Sequence, residues 1–154
     1  MVSHQRGLGI NYWITTGNEA DLSVSEAIQF LAEDEKVHTI MAYVESVKDG
    51  KKFVKALDTA RQEKKPVILM KVGRSEVGAA AANSHTASLA GEDAIYSEVI
   101  RAHGAYRVKS TEEMLDVAYA TKPRIYPSGK NLGIVTISGG GGVSYTHLRA
   151  HETA

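Results

Sequence analysis

The stretch "NSHTASLAGED", Asn83 to Asp93, sets one imidazole, His85, among Ser84, Thr86, Ala87, Ser88, Ala90 and Gly91. An imidazole nitrogen can act as a nucleophile or carry a proton near neutral pH. Small neighbours suit a loop that must present its histidine to two sites without clashes. A helix starting near Gly91 would offer backbone N–H groups to phosphate. The plain alternative is a solvated histidine ahead of a helix, and such loops are common. Taken alone, the stretch favours that alternative.

A nucleophilic histidine needs one nitrogen unprotonated and a partner on the other. Candidate partners stand at the ends of predicted strands. Glu45 closes "VHTIMAYVE", and open parallel sheets place ligands at the carboxyl ends of their strands. Gly17 and Asn18 follow "INYWITT". There glycine permits close backbone approach, and the amide both donates and accepts. Lys48, Lys71 and Arg74 are possible anion ligands, although for Lys71 and Arg74 a structural or solvated role is the simpler reading. His147 and His151 have the i, i+4 spacing of a metal pair but no third ligand. "SGGGG", Ser138 to Gly142, follows a strand pattern but is neither a GxGxxG nor a lysine-bearing phosphate loop. His4, His38 and His103 belong to no constellation.

The elements that must hold these residues alternate in type. Strands are expected near Tyr12–Thr15, Thr39–Val44, Val67–Val72 and Tyr106–Val108. Helices are expected between them. Val24, Ile28 and Leu31 mark the first, with Asp21 or Ser23 as N-cap. Phe53, Val54, Leu57 and Ala60 mark the second. A third ends at Gly104 as its C′ residue, and a fourth opens with Ser110 and Glu113 in capping-box spacing over Met114, Val117 and Ala118. Short connections between alternating elements predict an α/β fold, a parallel sheet with helices on both faces.

Composition narrows the function. There are 154 residues, 43% of them apolar, which is enough to fill one core. Eighteen basic residues balance 18 acidic ones, which speaks against a nucleic-acid or anionic-membrane platform. Cysteine is absent, so neither disulfides nor cysteine metal sites arise. No run approaches the length of a membrane span, the first residues lack a signal-peptide pattern, and the cytoplasm is the expected compartment.

"TTGNEADLSVSEAIQFLAED", "MAYVESVKDGKKFVKA", "KPVILMKVGRSEVGAAAANSHTASLAGED" and "RVKSTEEMLDVA" together resemble the succinyl-CoA-ligase-like domain of NDP-forming acyl-CoA synthetases, the acetate–CoA ligase group. The resemblance implies a flavodoxin-like fold and an acid–thiol ligase when full length. It implies that His85 is the phosphorylated histidine and that Glu45 orients it, with Gly17 and Asn18 near the phosphate or substrate. Family members usually carry glycine where Ala87 stands, so this loop is expected to be stiffer. The resemblance also implies an earlier strand with a Ser-Gly phosphate turn, a CoA-binding Rossmann domain, an ATP-grasp partner and a small carboxylate or acyl-CoA substrate. CoA, ADP or ATP and Mg²⁺ belong to that full-length enzyme, and this fragment is expected to bind none of them and to be inactive alone. The rival reading is a non-catalytic regulatory domain of a CoA-linked protein lysine acetyltransferase.

The expected organisation is a succinyl-CoA-ligase-like domain over residues 1–122 that lacks its N-terminal part, a linker over 123–130, and the first strand of a truncated following domain over 131–142. Residues 143–154, "VSYTHLRAHETA", have no amphipathic match to the domain and look like a translated sequencing adapter, a non-native tail. Deleting Val143–Ala154 is expected to leave the thermal midpoint unchanged. A loss of about 1 kcal/mol would lower it by several degrees in a scanning melt and would make the tail part of the fold.

Overall fold

The computed structural model describes residues 7–72 and 86–129, together with Gly133 and Val135; side chains are described from Asp93 onward in the segment that opens at Thr86. The chain divides into two units, Met1–Arg124 and Ile125–Ala154, and all regular structure described lies in the first. Its elements run α1 (Val24–Glu33), β1 (Ile40–Val44), α2 (Gly50–Gln62), β2 (Val67–Lys71), α3 (Thr86–Ala102), β3 (Tyr106–Val108) and α4 (Thr111–Thr121).

The three strands form one sheet in the order β1-β2-β3. Both pairings are parallel, with Ile40 opposite Val67 and Ile68 opposite Tyr106. β2 is central, and Val67, Ile68, Leu69 and Met70 are all buried. Its alternation divides the core. Val67 and Leu69 join Ile40, Ala42 and Val44 against Ile28 and Ala32 of α1, Phe53, Ala56, Leu57 and Ala60 of α2, and Ile100 of α3. Ile68 and Met70 join Val108, Leu8 and the Met114 and Ala118 side chains of α4 on the other face. Helices therefore cover both faces, the flavodoxin-like arrangement expected from the alternation of elements.

Local chemistry sets the helix ends. Ser23 caps α1 in a complete capping box. Its hydroxyl accepts from the Glu26 N–H, and the Glu26 carboxylate accepts from the Ser23 N–H at 3.0 Å. Asp49 caps α2 by accepting from the N–H groups of Lys51 and Lys52. Ser110 caps α4, but the Glu113 carboxylate accepts from the Lys109 N–H rather than from Ser110, so that box is half formed. Gly104 ends α3 with φ +76°, the left-handed conformation required of a C′ residue. A Cβ there would also meet the Arg61 side chain at 3.2 Å.

Two expectations about elements are corrected. Tyr12–Thr15 is not a strand: residues 8–10 and 12–16 carry no regular structure, and Asn11 is a bend. The segment is held by side chains instead. The Tyr12 hydroxyl donates to Asp34 at 2.5 Å, the Asn11 amide donates to the Lys36 carbonyl, and the Tyr12 ring meets Phe30 edge-on at 5.8 Å. Strand composition produces a strand only where a neighbouring edge accepts its backbone, and the described segment has none. β1 likewise pairs with no strand but β2 among the described residues. The second correction concerns α3, which is already helical at Thr86, five residues before Gly91.

Paired side chains shift titrations at the surface. The phenol of Tyr12 is pushed up and the Asp34 carboxyl held down by their mutual hydrogen bond. Glu26 is lowered from 4.5 to about 2, chiefly by the Ser23 N–H and hydroxyl and then by Lys52 at 2.9 Å. A carboxyl whose folded value is depressed contributes its stabilisation fully above its ordinary value and loses it as pH falls through the folded one. The melting-temperature advantage over Glu26→Gln is therefore expected to be constant above pH 4.5 and to shrink as pH falls towards about 2.

Candidate functional site at the carboxyl edge of the sheet

Parallel strands deliver their last residues to one edge, where loops can converge without competing for ladder hydrogen bonds. β1 ends at Val44, so Glu45 is the first residue beyond the ladder, and its side chain is exposed. β2 ends at Lys71, one strand over, since Val44 pairs with Lys71. Residues of both strand ends thus meet at this edge.

The Gly17–Asn18 turn reaches the same edge. Gly17 has φ +58° and Glu19 φ 55°, with the Glu19 N–H donating to the Thr16 carbonyl at 3.0 Å. Lys48, three residues beyond Glu45, donates its ammonium to the carbonyls of Asn18 at 2.6 Å and Glu19 at 3.0 Å. That latch joins the loop after β1 to the turn before α1. Glu45, Gly17 and Asn18 are therefore parts of two loops tied by one lysine. Lys48 serves as a bridge between backbone carbonyls here.

Glu19 was not legible as a site residue in the sequence. Its backbone is left-handed without being glycine, and its Oε2 is buried with no hydrogen-bond partner among the described residues. Non-glycine residues in that region store strain of about 1–3 kcal/mol, and a buried carboxylate oxygen ordinarily has a donor. The only sequence signal was a charged residue directly after a Gly-Asn pair.

Lys71 resolves towards structure. Its ammonium donates to the carbonyls of Glu45 at 2.6 Å and Val72 at 2.8 Å and sits 5.1 Å from the centroid of the Tyr96 ring. Arg107 is similarly occupied. It pairs with Asp93, both groups under a fifth exposed, and donates to the Ser97 hydroxyl. These groups line a cavity of about 550 Å³ beside β3, also lined by Lys71 and Lys109. His103, read as incidental, instead pairs through Nδ1 with Asp58 at 2.7 Å and joins α3 to α2. Its sequence distance of 45 residues hid that partner. His38 is exposed. His85, Arg74, His4, His147, His151 and the Ser138–Gly142 run lie outside the described residues.

The arrangement is an α/β domain whose loops gather a carboxylate, an amide and two carbonyl-bound ammonium groups at one sheet edge. Comparison with known proteins gives the family. Residues 2–121 match the family described as succinyl-CoA ligase like flavodoxin domain, and the chain belongs to it. It is 39% identical over 145 residues to the alpha subunit of acetate–CoA ligase (ADP-forming) I from Pyrococcus furiosus, covering 94% of this chain and 31% of that one. It is 38% identical to a 4-hydroxybutyrate–CoA ligase (ADP-forming) from Nitrosopumilus maritimus, covering 88% and 20%. The solved apo dinucleotide-forming acetyl-coenzyme A synthetase 1 of Ca. Korarchaeum cryptofilum superposes with a TM-score of 0.81 at 32% identity, covering 97% of this chain and 32% of that one. The chain thus spans about a fifth to a third of the length of these relatives. Among the described residues no helix is long and apolar enough to cross a membrane.

Gly17 tests how far the turn depends on its backbone. Among the described residues no atom lies within 4 Å of a Cβ added there, so the cost of a side chain is conformational. Gly17→Ala is expected to cost about 1 kcal/mol, seen as a lower urea midpoint at unchanged slope. Gly17→Asn should cost less, because Asn tolerates the left-handed region.

Proposed function

We propose that this domain is the phosphohistidine-carrying part of an NDP-forming acyl-CoA synthetase. In the overall reaction, acyl-CoA, NDP and phosphate are exchanged for carboxylate, NTP and CoA. Phosphate displaces CoA from the acyl group to give an acyl phosphate. A His85 nitrogen then attacks phosphorus, the P–O bond to the acyl group breaks, and the carboxylate leaves. The phosphoryl group passes from His85 to the NDP, and the free imidazole returns. Glu45 accepts a hydrogen bond from the second imidazole nitrogen, fixing the tautomer and favouring the charge that develops on the ring. The Gly17–Asn18 turn offers backbone and amide contacts to phosphate or substrate.

The observation that carries this reading is the junction of Glu45 and the Gly17–Asn18 turn through Lys48 at the carboxyl edge. The helical backbone of α3 from Thr86, the residue after His85 in the chain, is consistent with it. Nucleotide and CoA are assigned to an ATP-grasp partner and a Rossmann domain in the whole enzyme, and the compartment to the cytoplasm. Among the described residues no three His, Cys, Asp or Glu side chains group to hold a metal. Mg²⁺ is expected with the nucleotide in the whole enzyme, and no step here runs through it.

The test uses the full-length enzyme incubated with labelled nucleotide and Mg²⁺. Protein-bound label should be lost in acid and survive base, as a P–N bond requires, and His85→Asn should abolish it. Glu45→Gln should slow labelling by about 10²-fold, the lower range for a group that manages a proton, while leaving the fold intact by circular dichroism. Undiminished labelling of His85→Asn would place the phosphoryl group on another residue.

A further inference from the structure

We propose that Lys71 and Tyr96 form a clamp that positions Glu45, an inference resting on the role given to Glu45 above. Glu45 lies just past the ladder, so the sheet alone does not fix its backbone. Two side chains from other elements do. Lys71 donates to the Glu45 carbonyl and to that of Val72, tying the ends of β1 and β2 together beyond their last paired residues. Tyr96 of α3 accepts from the Val47 N–H at 3.3 Å through its hydroxyl, on the other side of Glu45. Its ring in turn faces the Lys71 ammonium at 5.1 Å. The loop is held at residues 45 and 47 by two side chains that also hold each other.

The geometry distinguishes this role from anion binding. Two carbonyl oxygens and an aromatic face take up the Lys71 ammonium, whose three N–H donors leave little for a phosphate. Tyr96 also makes the clamp a link between Glu45 and α3, the helix that begins at the residue after His85.

The experiment measures the rate of acid-labile labelling in the full-length enzyme for Lys71→Met, Lys71→Arg, Tyr96→Phe, Glu45→Gln and the Glu45→Gln/Lys71→Met double variant, with His85→Asn as the control. Lys71→Met should slow labelling about tenfold, within the coupling range of contacting residues, at unchanged KM for the acyl substrate. Lys71→Arg, which can still donate to two carbonyls and stack on the ring, should recover most of that rate. In the Glu45→Gln background, Lys71→Met should have almost no further effect, which a general loss of stability would not produce. Tyr96→Phe keeps the ring and removes only the hydroxyl, so it tests the clamp even if Lys71→Met does not fold, and it should slow labelling about threefold. Wild-type rates in both Lys71→Met and Tyr96→Phe, a change in KM alone, or fully additive losses with Glu45→Gln would overturn the clamp. If His85→Asn is dark while Lys71→Met and Tyr96→Phe both label normally, the clamp alone falls; if His85→Asn still labels, the reading beneath it falls as well.

Discussion

Burial of β2 on both faces is the constraint on which the rest of this domain depends. Four consecutive apolar residues, Val67 to Met70, leave water completely or nearly so. Each such side chain stabilises the fold by roughly 1.5–3 kcal/mol relative to exposure. A strand with no polar face needs a strand on each side for its backbone and a layer above and below for its side chains. β1 and β3 supply the first, and α1, α2 and Ile100 against α4 supply the second. Parallel pairing follows because each connection contains a helix, and parallel pairing sends every strand end to the same edge.

That edge gathers its chemistry from distant parts of the chain. The turn at Gly17–Asn18, the loop at Glu45–Lys48 and the end of β2 at Lys71 are joined by hydrogen bonds from two ammonium groups to backbone carbonyls. Such bonds suit loops, whose carbonyls have no ladder partner and must otherwise rely on water. Carbonyl-bound lysines leave the two carboxylates, Glu45 and Glu19, without a neighbouring ion pair among the described residues.

Legibility in the sequence followed the range of the interaction. The period of Phe53, Leu57 and Ala60 is local, and all three are buried in α2 as expected. Ser23 and Gly104 were readable for the same reason, since a cap and a C′ glycine act within one helical turn. Tyr12–Thr15 failed because composition describes a side chain's preference for a sheet and not the presence of a neighbouring edge. The N-terminus of α3 was misplaced because the small residues from Thr86 to Ala90 are equally compatible with a loop and with the first turns of a helix. His103 failed for want of range: Asp58 lies on a different helix.

By itself the sequence determined the alternation of strands and helices from Val24 to Thr121, the core faces and the position of Glu45 at a strand end. These depend on hydrophobic period and on caps, which act over a few residues and are written in consecutive letters. Its motifs also pointed to the family that residues 2–121 match. Only the tertiary structure decided that Lys48 and Lys71 hold loops, that Tyr96 meets Val47 across 49 residues, and that Glu19 carries a buried oxygen with no donor among the described residues. The reason is physical. A lysine's flexible stem can deliver its charge to water, to a phosphate or to a carbonyl, and the choice rests on which acceptors the packed sheet brings within about 3 Å.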